Sequence, residues 1–246
     1  MKRLLVVDVG THKGQEVRLL ADRGWRWRFE MFTSLARHHR KLGRAWSDFR
    51  MICRLQNRCA EWGFCFMFIE PIFHREIADA FTLAPNIVFI KGVTSANPGG
   101  EVTLRLACTG DLGHSIIPSK PNLSDRGQPT LNFDFRELLP WFRACFGVRE
   151  GDIVVLRMNA EGVERDIVEW VASHGDSSRC VDVFMGSLGD VKKCFGADAE
   201  RDAQRRLSSA SIPFIYLTSN PGSWRPALEA LLDLVSVTAQ IEVPNA

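Results

Sequence analysis

The 246-residue chain has seven cysteines but no C-x-x-C pair: Cys53, Cys59, Cys65, Cys108, Cys145, Cys180 and Cys194 are odd in number and scattered. That spacing excludes a zinc knuckle and points away from a disulfide framework, so reduced thiols in an intracellular protein are the expectation. Long apolar runs are missing too. The opening run from Leu4 to Val7 stops at Asp8 and Gly10, too soon for a signal-peptide core or a membrane span, and it reads as a buried strand. With no targeting segment visible, the expected location is cytoplasmic. Nor is there an excess of one charge: 31 Lys and Arg offset 29 Asp and Glu, a formal net charge of +2. That balance argues against a dedicated nucleic-acid binder and leaves only local basic patches. There is no internal repeat and no low-complexity tract. What is present, 46% hydrophobic and 24% charged residues, is the composition of a folded protein long enough for a sizeable core.

Short apolar runs alternate with helical stretches, the pattern of a parallel sheet covered on both faces. Runs at 4–9, 65–69, 87–90, 153–158, 181–185 and 213–217 hold several Val, Ile, Leu or Phe without polar alternation, as strands buried on both sides do. Helices are predicted at 73–83, 163–173, within 188–209 and at 226–235, where Pro226 suits a first turn. Two intervals interrupt this rhythm. Residues 23–61 carry ten Lys and Arg, while Phe29 and Phe32, then Phe49, Ile52 and Leu55, recur at helical spacing; helices capping the sheet with a basic outer face follow. Residues 94–130 are rich in Gly, Pro, Ser and Asn, with Val102, Leu104 and Leu106 alternating, which predicts a hairpin or lid-like excursion. The whole of 1–246 reads as one domain.

The first strand leads directly into Asp8-Val9-Gly10-Thr11-His12-Lys13-Gly14, and in an open parallel sheet a cofactor lies at this strand-to-helix turn. Gly10 permits a tight turn and Gly14 a close helix approach. The spacing is D-x-G-x-x-x-G, neither the dinucleotide fingerprint nor a phosphate loop. An acid at Asp8 suits a cofactor bearing an amino group better than one presenting a pyrophosphate, and S-adenosylmethionine fits that description. Glu70, followed by Pro71, ends the second strand, where a carboxylate can accept ribose hydroxyls. The segment from Arg157 to Glu164 passes from strand into helix. It sets Asn159 and Glu161 on the same carboxyl edge, with Glu164 near the helix's positive end.

These three clusters, in this order, resemble the FkbM family of S-adenosylmethionine-dependent methyltransferases. Asp8, Gly10 and Gly14 match its first loop, Glu70 and Pro71 its second strand end. Arg157, Asn159, Glu161, Gly162 and Glu164 stand at the positions of its later Lys-x-Asp-x-Glu-Gly-x-Glu segment. Gly100 to Leu104 and Gly113-His114-Ser115 are similar to intervening parts of the family pattern, and the likeness spans roughly residues 4–185. The chain departs from that pattern at Asn159, where the family has Asp, at Arg157, where it has Lys, and in lacking Glu-x-His after Gly186.

The resemblance implies a Rossmann-like class I methyltransferase fold, a mostly parallel seven-stranded sheet with helices on both faces. It implies O-methylation of a hydroxyl, on a sugar or glycan. The cofactor would be held by Asp8, Gly10, Thr11, His12, Gly14, Glu70, Pro71 and Asn159. The catalytic candidates are His114, Glu161 and Asn159: His114 as the favoured base among His12, Asp111, His114 and Glu161, Glu161 to position the acceptor, Asn159 to hold substrate or cofactor. Metal independence is the expectation, with Asp111, His114 and Glu161 as the one sparse alternative site. The basic interval supports two further readings, an anionic acceptor site or an RNA or cap methyltransferase. The Asn159 substitution supports another, a catalytically silent cofactor-binding or scaffold protein.

Overall fold

Strands β1 (Arg3–Val9), β2 (Gly63–Glu70), β3 (Ile87–Lys91), β7 (Ile153–Met158), β8 (Val183–Gly186) and β9 (Phe214–Tyr216) arise at the six apolar runs and pair into one sheet. In this computed structural model the described residues are 2–12, 15–60, 62–84, 86–108, 114–174, 180–217 and 225–240. The strand order is β3-β2-β1-β7-β8-β9 and every pairing is parallel. The chain thus runs outward from the centre on one side, returns, and runs outward on the other, so its direction reverses between β1 and β7. The sheet has six strands among the described residues, rather than the seven expected.

Alternate side chains of each strand enter two separate cores, which is why the runs carry no polar alternation. Leu4, Val6, Phe66, Phe68, Ile153 and Val155 face one side, beneath α1 (Gln15–Ala21), α2 (Trp25–His39), α3 (Leu42–Cys59), α4 (Arg75–Ala80) and α9 (Arg225–Gln240). Leu5, Val7, Met67, Val154, Leu156 and Phe184 face the other, beneath α5 (Phe135–Cys145), α6 (Glu164–Ser173), α7 (Gly189–Phe195) and α8 (Ala197–Ser209).

The basic interval is the α2–α3 pair. Arg40, in the left-handed conformation, ends α2, and its N–H donates to the Ala36 carbonyl. A polar clasp ties the pair to the fold. His39 Nε2 lies 2.8 Å from Asp48 Oδ2, and Arg225 Nη2 of α9 lies 2.5 Å from Asp48 Oδ1. Both His39 and Asp48 side chains are buried.

The second interval builds its own sheet, β4 (Val93–Ser95), β5 (Gly100–Ala107) and β6 (Leu123–Asp134), in the order β4-β6-β5. β5 and β6 are antiparallel, with a register break between Arg105 and Ala107. Asp134 then caps α5 by accepting the Arg136 N–H at 2.9 Å.

Candidate functional site

The ends of three neighbouring strands are stitched together at the reversal point. Gly10 N–H donates to the Ile69 carbonyl at 2.9 Å, joining β1 to β2, and Asn159 N–H donates to the Val9 carbonyl at 3.0 Å, joining β7 to β1. Gly10 sits at φ +75°, and a Cβ there would overlap the Asn159 carbonyl oxygen. Only glycine satisfies both constraints. Thr11 is buried, its hydroxyl donating to the Asp8 carbonyl at 2.8 Å. Thr11 therefore closes the turn from within and does not line the cavity described below. Gly14 lies outside the described residues.

Glu70 is 8% exposed. Its Oε2 accepts the His12 N–H at 2.9 Å and its Oε1 accepts the Ile72 N–H at 3.2 Å. The carboxylate therefore gathers the loops leaving β1 and β2. Burial pushes its pKa up, outweighing these two N–H donors and the nearby His74 and Arg157. A carboxylate oxygen offers two acceptor positions, so each retains capacity for one more donor.

Asp8 occupies a different place from the one its sequence position suggested. It is fully buried and does not line the cavity; Arg157 Nη1 donates to its Oδ1 at 2.9 Å and to the Gly10 carbonyl at 2.8 Å. The two residues are directly paired in register between β1 and β7. This ion pair props up the Gly10 turn from below. The charge of Asp8 is met by protein, which opposes its expected contact with a cofactor's amino group.

The segment after β7 is fixed by Glu164. Its carboxylate accepts the Ala160 N–H at 2.7 Å and the Gly162 N–H at 2.6 Å. The group is completely buried, and desolvation pushes its pKa up to about 7 despite these donors and its own backbone N–H, with Asp190 adding to the rise. The clamp holds Glu161 at φ +61° and Gly162 at φ +118°. Glu161 lines the cavity, is paired with the nearly buried Lys120, and has its pKa raised by burial first of all. Asn159 also lines the cavity, and its side-chain amide makes no hydrogen bond among the described residues.

The roof comes from the second sheet and residues 114–120. Ser115 is bridged to Arg105 of β5, and its hydroxyl donates to the Glu161 carbonyl at 2.7 Å. His114 Nδ1 accepts the Ala107 N–H at 2.9 Å. A ring nitrogen that accepts carries no proton, so neutral His114 holds its proton on Nε2. That tautomer opposes the expectation that His114 takes a proton from a substrate; it presents a donor.

Between floor and roof lies a cavity of about 80 Å³, lined by Gly10, His12, Glu70, Pro71, His114, Asn159 and Glu161 among others. Seven of the ten residues expected to form the site are therefore together. Asp8 and Thr11 lie behind the cavity wall. Through Pro71 and His114 the cavity adjoins an open cleft of about 820 Å³, walled by Phe73, Lys91, Gln128 and Leu131. Lys120 and Thr94 also belong to the site's fabric but were not read from the sequence, and Ser115, read there only as part of a family-like turn, joins them. Lys120 is one lysine in a Pro/Ser-rich stretch, and nothing local marks it. No group of three His, Cys, Asp or Glu able to hold a metal ion occurs among the described residues, and Asp111 lies outside them.

No family model matches the chain, and neither a curated protein nor a solved structure matches it.

Proposed function

We propose that this crevice binds S-adenosylmethionine and that the protein is a divergent FkbM-type O-methyltransferase acting on a hydroxyl of a sugar or glycan. One observation carries the reading. A carboxylate with spare acceptor capacity, Glu70, lines a cavity at the end of β2, beside the Gly10 turn, where the sheet changes direction. In open parallel sheets that is the place where nucleoside-bearing ligands lie, with an acid of this kind on the ribose.

The residues fit such a group in part. The two oxygens of Glu70 suit a vicinal diol, and Gly10 removes the side chain that would keep a ligand from the turn. The unengaged amide of Asn159 can both donate and accept toward the ligand's polar end. Asp8 is committed to Arg157, so the ligand's amino group would be met by Asn159 instead.

The bound cofactor would supply a methyl group already activated for transfer. The chain's own task is then to orient an acceptor oxygen, exclude water and remove one proton. His114, which lines both cavity and cleft, can help position the acceptor at their border. Glu161 takes the proton. Its burial makes it more basic than an ordinary carboxylate, while the Lys120 ammonium restrains it from staying neutral. The cavity is smaller than such a cofactor, so both the cofactor's outer part and the acceptor would extend into the adjoining cleft.

Isothermal titration with S-adenosylmethionine and S-adenosylhomocysteine tests the reading. Wild type should bind both, and Glu70→Gln should weaken binding roughly tenfold or more, from loss of hydrogen bonds to a charged acceptor worth about 1.5–3 kcal/mol. A folded wild type that binds neither compound, or a Glu70→Gln variant with unchanged affinity, would refute it.

A further inference from the structure

The α2–α3 pair exposes more apolar surface than a solvated helical cap needs. Trp25 is 80% exposed, Leu42 70%, Phe29 63% and Trp46 53%. These side chains form two stripes of the same spacing. On α2, Trp25, Phe29 and Phe32 follow at i, i+4 and i+7; on α3, Leu42, Trp46 and Phe49 do the same. Such spacing puts each trio on one helix face. The stripes meet: Phe32 packs edge-on against Trp46 and Phe49 at 5.8 and 5.7 Å between ring centroids, and Trp46 stacks on Phe49 at 5.8 Å. Trp27 and Leu35 on α2 and Ala45, Ile52 and Leu55 on α3 enter the core, and the half-buried Phe32 and Phe49 pack against it where the stripes meet, leaving Trp25, Phe29, Leu42 and Trp46 outward. The result is one continuous apolar strip running along the outside of the helix pair.

Charge accompanies it. Ten of the chain's 31 Lys and Arg fall within 23–61, against three of its 29 Asp and Glu. One of those three, Asp48, is buried in the clasp with His39 and Arg225. Another, Glu30, pairs with Arg26. Arg50 and Arg54 continue from Trp46 at four-residue steps and are exposed, as are Arg37, Arg40, Lys41 and Arg44.

We propose that the α2–α3 helix pair is a docking surface for an anionic lipid bilayer, lying in the interface with the aromatic strip inserted and the arginines over lipid phosphates. An apolar strip edged by a strongly basic face is what an interfacial helix requires, and Trp favours the headgroup boundary. The strip does not suit a second copy of this chain, because two such basic faces would repel on contact. It suits RNA less well. Leu42 has no ring for a base to stack on, and one face of Trp46 is already taken by Phe49. The proposal is independent of what the crevice binds.

The test is co-sedimentation of the full chain with phosphatidylcholine vesicles and with mixed phosphatidylcholine–phosphatidylserine vesicles, at low and high salt. Binding to the mixed vesicles alone, weakened by salt, is expected. Arg50→Gln with Arg54→Gln should lower that partition roughly 25-fold, about fivefold per arginine near a charged surface. Trp25→Ser with Phe29→Ser should lower it at least as much, and circular dichroism should show both pairs still folded, since all four residues are exposed. Absence of partition, equal partition to neutral vesicles, or partition unchanged in both double variants would overturn the proposal. So would a strip-dependent dimer on gel filtration, or a tighter strip-dependent complex with a single-stranded RNA oligomer.

Discussion

Glu164→Gln tests the account of how the site's loops are held. In the native fold the Glu164 carboxylate is sealed from solvent and accepts the Ala160 and Gly162 N–H groups. Two effects compete there. The N–H donors favour the ionised form, and burial opposes it more strongly, raising the pKa from 4.5 to about 7. A carboxyl group whose pKa is higher in the folded than in the unfolded state adds stability that is fully present below the unfolded value and is lost as pH rises through the folded one. The window is therefore from about 4.5 to about 7. A tenfold difference in proton affinity between the two states is worth about 1.36 kcal/mol, so between pH 5 and pH 8 this single group should withdraw about 2–3 kcal/mol of stability. Glutamine does not titrate, and its NH₂ must face one of the two N–H groups. The variant should thus be less stable than wild type by about 1–3 kcal/mol at pH 5, the cost of one unsatisfied buried donor. The gap should close as the pH is raised. Urea unfolding of both proteins at half-unit pH steps reads the difference directly, and subtracting the two curves removes the titration of Glu70 and Glu161. A difference that stays constant from pH 5 to pH 8 would refute the competition described here.

Arg157→Met should destabilise the fold, by up to about 3–5 kcal/mol, by removing the Arg157 partner of buried Asp8, and adding Asp8→Leu should recover part of that loss. A double-mutant cycle in guanidinium measures it; additive losses would show that the two side chains do not act as a pair. Gly10→Ala should lower stability by about 1–3 kcal/mol, from strained backbone at φ +75° and overlap with the Asn159 carbonyl, read as a shift in the urea midpoint. Asp48→Ala should cost about 3 kcal/mol, because His39 and Arg225 lose their shared partner. Limited proteolysis should then cut first within 23–61.

The inner strands β1, β2, β7 and β8 were legible because they are buried on both faces, so runs such as Phe66-Met67-Phe68-Ile69 have no polar position to confuse them. The half-buried edge strands β3 and β9 were legible from their short apolar runs alone. β6 was not legible. Most of its residues are exposed or half-buried, and it carries Gly127 and Pro129, residues that weaken a strand reading. Pairing with β5 along its length and with β4 at its end makes it a strand. In the site, sequence placed Glu70, Asn159 and Glu161 on one edge because strand ends are local features. It could not show what Asp8 meets, which depends on Arg157 lying opposite it in register 149 residues later. Nor could it show the tautomer of His114. The donor that sets it is the Ala107 N–H, at the register break where β5 departs from regular pairing with β6. Such irregularities re-aim groups near sites and leave no mark in the residue types.

Glu70, at the end of β2, and Glu164, at the start of α6, are the same device, and the proposed ligand position rests on the difference between them. Each is an acid whose two oxygens take two backbone N–H groups from a loop leaving the sheet, and each has its pKa raised by burial. Glu164 has no exposure and one donor more, its own N–H, so nothing further can reach it. Glu70 has two donors, spare acceptor positions and a cavity beside it. A fold that needed only a loop clamp at Glu70 would be served by the sealed arrangement seen at Glu164. Leaving a half-satisfied carboxylate at the edge of a cavity makes sense when hydroxyl donors complete it. Replacing Glu70 should therefore change both stability and ligand affinity, whereas replacing Glu164 should act on stability and touch affinity only through the loop it holds.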